Sequence, residues 1–407
     1  MNILVINAGS SSIKFRLVNR QNLSFVANGI LDRIGTKKSQ LSYCLYKEQV
    51  VIDKVEKLVL INDAAEGFKV LLDLLQNRVF INQSMELVTI GHRVVHGGEK
   101  FIQSVLISEA VIDAIRENIP LAPEHNPANL KGIEIFRKAF PSTPQVAVFD
   151  TAFHQTMPAK AYRYPLAEVL YTEHKIRRYG FHGTSHHYVA HCATQAFDTP
   201  LSQLNFITLH LGNGVSATAI QGGRSIDTSM GMTPLEGLMM GTRSGNIDPG
   251  IIFYLARNTK LDVDEIETLL NKQSGLLGVC GTNDMREIQQ RADQGDKQAR
   301  LAFEMYCYRI KKYIGAYFAI LGRLDGLVFT AGVGENSSAV RLQVCQGLES
   351  LGIYIDSEKN NTVIKSTTEI QLKTSPVKIF VIPTDEENEI ARQALICIES
   401  KSDLKKL

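Results

Sequence analysis

Asn2-Ile3-Leu4-Val5-Ile6, followed by Asn7-Ala8-Gly9-Ser10-Ser11-Ser12-Ile13-Lys14, is the stretch that decides the fold. Its four unbroken apolar residues fit a strand buried on both faces, and the glycine and serines after them stop it with a turn. Two later stretches repeat the arrangement. The run 206–211 is followed by Gly212-Asn213-Gly214, and the run 327–330 by Ala331-Gly332-Val333-Gly334-Glu335-Asn336. The runs 87–90, 145–149 and 378–382 carry the same strand signature. Helical patterns lie between them: Asn126-Pro127 opens one that reaches about Ala139, Thr184 or Ser185 caps another through His191, and 297–321 has apolar residues at helical spacing. Strands alternating with helices predict an α/β protein whose sites lie beyond the carboxyl ends of strands. Glycines at three such ends let the backbone approach an anion and form nests of N–H groups. The pattern suggests two related halves facing a shared nucleotide cleft.

Length and charge narrow the classes. At roughly 150 residues per domain, 407 residues predict two or three domains. The 44 Lys+Arg balance 42 Asp+Glu, with no run of five or six like charges, which argues against a nucleic-acid partner. Apolar runs fall far short of the ~20 residues of a membrane span. The first residues lack a basic n-region, so no signal peptide is expected and the cytoplasm is the expected location. Cys44, Cys192, Cys280, Cys307, Cys345 and Cys397 show no CxxC spacing and are read as reduced core thiols. The polar stretch 357–365 is read as a surface loop.

Six motifs carry possible chemistry. Asn7 to Lys14 sets an amide, hydroxyls and an ammonium at one turn, as phosphate and Mg2+ chemistry requires, although a plain serine-rich turn has the same composition. The chain has no Gly-Lys pair, which excludes a P-loop. Arg93, in Gly91-His92-Arg93-Val94-Val95-His96 after the 87–90 run, suits bidentate capture of a carboxylate or phosphate, or a surface ion pair. Asp150 ends the 145–149 run. In Arg177-Arg178-Tyr179-Gly180-Phe181-His182-Gly183-Thr184-Ser185-His186-His187, a zinc site is rejected because no carboxylate or cysteine joins the histidines at ligand spacing. His182 there suits donation to a phosphoryl group. The segment from Asp227 to Pro249 lacks periodicity and supplies Arg243. Thr384-Asp385-Glu386-Glu387 follows the last run, where a carboxylate suits either Mg2+ or an ordinary helix first turn.

In this order the motifs resemble the acetate kinase (acetokinase) family, within the superfamily of sugar kinases, actin and heat-shock chaperones. D-T-S-M-G-M-T-P-L-E-G-L-M-M-G-T-R-S-G and R-R-Y-G-F-H-G-T-S-H are the most specific, and the resemblance spans essentially the whole chain. It implies two related α/β domains of the actin-like ATPase (ribonuclease H-like) type with a nucleotide cleft between them: 1–150 plus 386–407, and 151–385. It implies reversible transfer of the ATP γ-phosphoryl group to acetate, with Mg2+ as cofactor and Mn2+ as its substitute, in a cytoplasmic homodimer. Carried over by motif, Asn7 and Glu386 would hold the metal. Arg93 would bind the carboxylate, Asp150 would be essential, and His182 and Arg243 would stabilise the phosphoryl group. Val95, Phe181 and Pro234 would surround the methyl group. Lys14, His210, Leu211, Gly212, Asn213, Gly214, Asp284, Met285, Arg286, Gly332, Val333, Gly334, Glu335 and Asn336 would line the nucleotide.

Physical chemistry agrees with that transfer. A carboxylate is ionised at pH 7 and needs no general base, only relief of charge as two anions approach. Asp150 is accordingly expected to orient and not to abstract a proton. Two residues depart from the family pattern: Glu124 stands where leucine is usual, and its carboxylate would repel acetate unless it points away or is paired. Asn246 stands where aspartate is usual, a change expected to be tolerated. A propionate or other short-chain acyl kinase is the near alternative, because one methylene is worth only about 1 to 3 kcal/mol. A sugar kinase would use Asp150 as base, and a chaperone-like ATPase would need a further binding domain.

Overall fold

The structure, a computed structural model, describes residues 1–9, 11–79 and 86–404. Ser10 of the first motif lies outside the described residues. Contacts divide the chain into two compact units, Met1–Gln155 with Asp385–Leu407, and Thr156–Thr384.

The first unit is built on an eight-stranded sheet of order β5-β4-β3-β2-β1-β6-β8-β7. Its strands are β1 (Asn2–Ala8), β2 (Ile13–Asn19), β3 (Phe25–Asp32), β4 (Gln40–Lys47), β5 (Val50–Leu58), β6 (Leu87–Val94), β7 (Val105–Leu106) and β8 (Gln145–Phe149). β1 runs antiparallel to β2 and parallel to β6, which is parallel to β8. The unbroken apolar run of β1 is explained by its two covered faces. Leu4 and Ile6 pack with Phe68 and Phe136 on one side, while Ile3 and Val5 pack with Ile390, Ala391 and Ala394 of the helix Glu386–Leu404 on the other. That helix lies so close to β6 that a Cβ on Gly91 would stand 2.9 Å from Ile390.

The second unit holds a six-stranded sheet of order β11-β10-β9-β12-β14-β13, from β9 (Asn205–Leu211), β10 (Val215–Gln221), β11 (Arg224–Thr228), β12 (Gly326–Thr330), β13 (Thr368–Glu369) and β14 (Lys378–Val381). β9, β12 and β14 are parallel, and β9, β10 and β11 form an antiparallel meander. The run β11-β10-β9-β12-β14 thus repeats the pattern of β3-β2-β1-β6-β8.

Four sequence readings are corrected. The strand expected to end at Ile90 continues to Val94, so Arg93 projects from the strand itself. The helix expected from Thr184 or Ser185 begins at Gly183. The stretch 357–365 is not simply a surface loop: it holds the short helix Ser357–Asn360, and buried Asn360 accepts from Arg341 Nε at 2.7 Å. Of the six free thiols, Cys44, Cys192 and Cys397 are only half-buried, Cys397 at the margin of the core under the C-terminal helix. No described helix is long and apolar enough to cross a membrane.

His92 in β6 is buried, 2.8 Å from Gln145 Oε1, and burial lowers its pKa to about 4, the hydrogen bond opposing. The unfolded chain therefore binds the proton first as pH falls. The contribution is complete above about pH 6.5 and is lost as pH drops through about 4, on the order of 3 kcal/mol. We expect His92→Gln to flatten this acid limb. Urea midpoints at pH 7 and 4.5 check it, and equal drops in variant and parent would sink the assignment.

Candidate active site

In the first unit the polar residues converge at the carboxyl ends of β1 and β8. Asn7, the last residue but one of β1, lies opposite Lys14 of β2, and Asp150 follows β8 directly. Arg93 reaches both: its Nε lies 3.1 and 3.2 Å from the Asp150 carboxylate oxygens, Nη2 2.5 Å from Oδ2, and Nη1 3.2 Å from Asn7 Oδ1. Asp150 is almost fully buried. Burial opposes the Arg93 charge, but Asp150, Glu386 and Glu387 outweigh it, so the guanidinium is held above its ordinary range. Asn7 Nδ2 in turn donates to Glu387 Oε1 at 3.1 Å.

Glu386 opens the C-terminal helix beside this cluster. Burial pushes its carboxyl up to about 7; Arg93 pulls it down, while Asp150 and Glu387 raise it further. Asp150, Glu386 and Glu387 thus all act on the Arg93 guanidinium. Arg16, which the motifs did not single out, pairs with Asp385 and, at 3.3 Å, with Glu387. Its position two residues after Lys14 on β2, hence on the same face, is the signal that could have found it. Lys14 is exposed, and Val95 is buried with its N–H on Asn129 Oδ1 at 3.1 Å. Glu124 is exposed, so solvent screens the carboxylate that the sequence placed in question.

In the second unit His182 stands at the N-cap of the helix Gly183–Thr194 with φ of +56°, a left-handed conformation rare outside glycine. Its ring stacks on His210 with centroids 4.1 Å apart. His182 Nδ1 lies 2.8 Å from Ser216 Oγ, which is 2.8 Å from His186 Nε2, whose Nδ1 is 2.7 Å from Thr208 Oγ1. A Thr208 hydroxyl that donates to His186 Nδ1 would make Nδ1 of His182 the acceptor and put its proton on Nε2. A Cβ on Gly214 would meet His182 Nε2 at 3.4 Å and Arg243 Nη1 at 3.5 Å. The two groups that the sequence assigned to the phosphoryl therefore converge on one glycine.

The other sequence candidates divide. Gly212 and Asn213 form the β9–β10 turn, where Asn213 Oδ1 accepts from Asn283 Nδ2 at 3.0 Å. His210 Nδ1 lies 2.9 Å from Ser185 Oγ. Asp284 caps the helix Met285–Asp293 and pairs with Arg286, whose hydrogen bonds lower its pKa to about 2. Leu211 and Met285 are buried, so their side chains are packed in the unit. Ala331, with φ of +63°, turns the chain into the helix Ala331–Asn336, which places Gly332 and Asn336 at the surface, leaves Val333 half-buried and buries Gly334. Glu335 Oε1 accepts from Thr384 N at 3.1 Å, and burial raises its pKa. Phe181 is buried and Pro234 half-buried. The sequence reading missed Ser216 and Tyr164; Arg178 and Glu236 lay in quoted motifs without a role.

Two sheets of one topology, each with polar residues at the ends of its parallel strands, place the chain in the actin-like ATPase fold class. Within that class, the chain belongs to the acetokinase family, whose model matches residues 2–392. An acetate kinase of Syntrophobacter fumaroxidans is 52% identical over 97% of this chain and 96% of its own length, and one of Helicobacter pylori is 51% identical over 97% and 98%. The crystal structure of Porphyromonas gingivalis acetate kinase matches with a TM-score of 0.90 at 43% identity, covering 98% of this chain and 99% of that one. A propionate kinase from Francisella tularensis matches at 0.88 and 45%, covering 96% and 98%.

Proposed function

We propose that this chain transfers the γ-phosphoryl group of ATP reversibly to acetate, giving acetyl phosphate and ADP by direct in-line displacement. The observation that carries the reading is Arg93, a guanidinium fixed by Asp150 and Asn7, in a chain half identical to acetate kinases over nearly its full length. Arg93 keeps N–H groups for the acceptor carboxylate, which arrives ionised. Asp150 is committed to that guanidinium, so its part is orientation. His182 donates from Nε2, and with Arg243 it offsets charge on the phosphoryl oxygens. Val95, Phe181 and Pro234 are assigned to the acyl methyl, and Lys14 with the β9–β10 turn, Asp284 to Arg286 and Gly332 to Asn336 to the nucleotide.

The donor set fits Mg2+. No group of three or more metal-ligating side chains is present among the described residues, but this ion takes one or two carboxylates, keeps waters and binds substrate phosphates. Asn7 and Glu386 would hold it, and the excess of carboxylates over cations around Glu386 is relieved by a hard cation. When bound, it neutralises charge on the transferring phosphates, and Mn2+ is proposed as its substitute.

The test is acyl phosphate formation from ATP and Mg2+ with acetate, propionate and butyrate in parallel. Acetate ahead by about tenfold in kcat/KM supports the reading; propionate ahead changes the acceptor, and no product from any acid overturns it. The propionate kinase neighbour keeps the second acceptor in view.

A homodimer is proposed on the helix Gly250–Asn258. None of its residues is buried, and the apolar Ile251, Ile252, Phe253 and Tyr254 are all exposed, a surface that a second copy of this chain would cover. Phe253→Asp is expected to shift a dimer toward monomer in sedimentation velocity, and a monomeric parent would refute the proposal. The free thiols suit a reducing cytoplasm, where fractionation should find the protein.

A further inference from the structure

We infer that Tyr164, Arg178 and Glu236 form a clamp that sets acyl-chain selectivity, an inference that rests on the proposed acetate kinase activity. All three lie in the second unit.

The clamp joins two segments that run past each other. Arg178 Nη1 donates to three consecutive carbonyls, those of Thr228, Ser229 and Met230, at 2.9, 3.1 and 3.1 Å. The next carbonyl, of Gly231, accepts from Tyr179 N and Gly180 N at 3.0 and 3.2 Å. Arg178 Nη2 meets Glu236 Oε1 at 2.5 Å, and the Tyr164 hydroxyl donates to the other oxygen of that carboxylate. The same hydroxyl accepts from Met232 N at 3.0 Å. A Cβ on Gly231 would collide with both Glu236 and the Tyr164 hydroxyl, so the clamp closes on a residue without a side chain.

Position in sequence gives the clamp its consequence. Pro234 sits midway between Met232 and Glu236, both gripped by Tyr164. Phe181 follows Gly180, gripped through Gly231. The two second-unit residues assigned to the acyl methyl are thus fixed to one side chain network, with few degrees of freedom between them. An apolar wall discriminates by one methylene only while it holds its place, since the whole difference is roughly 10- to 200-fold. Burial and the neighbouring Glu236 carboxylate both hold the Tyr164 hydroxyl above its ordinary range, so it stays a donor through any working pH.

Tyr164→Phe keeps the ring and removes the hydroxyl that ties Met232 to Glu236. We expect the ratio of kcat/KM for acetate to that for propionate to fall at least about threefold, with KM for ATP changing less than about twofold. Glu236→Gln, which keeps an acceptor for Arg178, is the second variant should the first not fold, and is expected to move the ratio the same way. A role confined to folding would lower turnover on both acids by one factor and leave the ratio fixed; that outcome overturns the inference. The unsubstituted protein, run alongside, separates the two failures. If it makes no acyl phosphate the activity itself is wrong, whereas an active protein with an unmoved ratio in the variants refutes only the clamp.

Discussion

Arg93→Ala is expected to lower kcat/KM for acetate by roughly 10²- to 10³-fold, the cost of removing one preorganised group from a charge-stabilising site. On the proposed reading the acceptor carboxylate then loses its bidentate partner, while the Gly214 end of the second unit keeps His182 and Arg243. The loss should therefore fall mainly on KM for acetate and on kcat, with KM for ATP little changed. Stability should fall as well. The almost fully buried Asp150 would lose the guanidinium that faces it, and removing one member of such a pair costs about 3 to 5 kcal/mol. Glu386, deprived of the nearby cation that lowers its pKa, would be pushed further upward. Arg93→Lys discriminates between the two effects. An ammonium can neutralise Asp150 but has no planar fork to span Asp150, Asn7 and a substrate together. It should recover much of the stability and little of the turnover. Urea unfolding and hydroxamate-trapped kinetics on the same preparations give both numbers. Turnover within about threefold of the parent in Arg93→Ala would remove the residue from the mechanism.

The contrast between what was readable in the sequence and what was not has a physical basis. β1, β8 and β9 were visible because both of their faces are covered, so the apolar run is unbroken. β5 was not, since Val50–Leu58 is an edge strand almost wholly exposed and carries Asp53, Lys54, Glu56 and Lys57, which suit a strand edge and mimic a loop. In the site, Asn7, Arg93, Asp150 and Glu386 each stood beside a strand end or helix start, and a strand end is where α/β folds place polar groups. The ties among them were another matter. Arg178 meets Glu236 across 58 positions and Tyr164 meets it across 72, so no local spacing records the contact. Asn246 shows the same limit: its amide accepts from Gly237 N at 2.7 Å and donates to the Tyr313 hydroxyl at 2.8 Å, a bridge invisible from a one-residue departure.

Gly275→Ala is expected to cost about as much activity as Arg243→Ala, roughly 10²-fold or more, although Gly275 carries no functional group. Its backbone has φ of +61°, and a Cβ there would stand 2.6 Å from the Arg243 carbonyl oxygen and 3.1 Å from the Arg243 nitrogen, besides striking the Met240 carbonyl. None of these atoms can swing aside as a side chain end would. Met240 N donates to Arg243 O at 3.1 Å, Leu276 N to Met240 O at 2.9 Å, and Ser274 N to Thr242 O at 3.0 Å, so the two segments are stitched together on both sides of the contact. Relief of the overlap must displace the backbone that carries Arg243. A shift of about 1 Å is enough for a hundredfold loss if, as proposed, the guanidinium and His182 meet a phosphoryl group together. Gly281 supplies the control: its φ is +81°, and nothing lies within 4 Å of an added Cβ. Gly281→Ala therefore bears the left-handed backbone penalty, about 1 kcal/mol, without the collision. Both variants should lose stability, but only Gly275→Ala should lose turnover. If the two fall equally in kcat at matched folded fraction, the displacement of Arg243 is not the cause, and the segment 240–244 tolerates movement that the proposed transfer cannot.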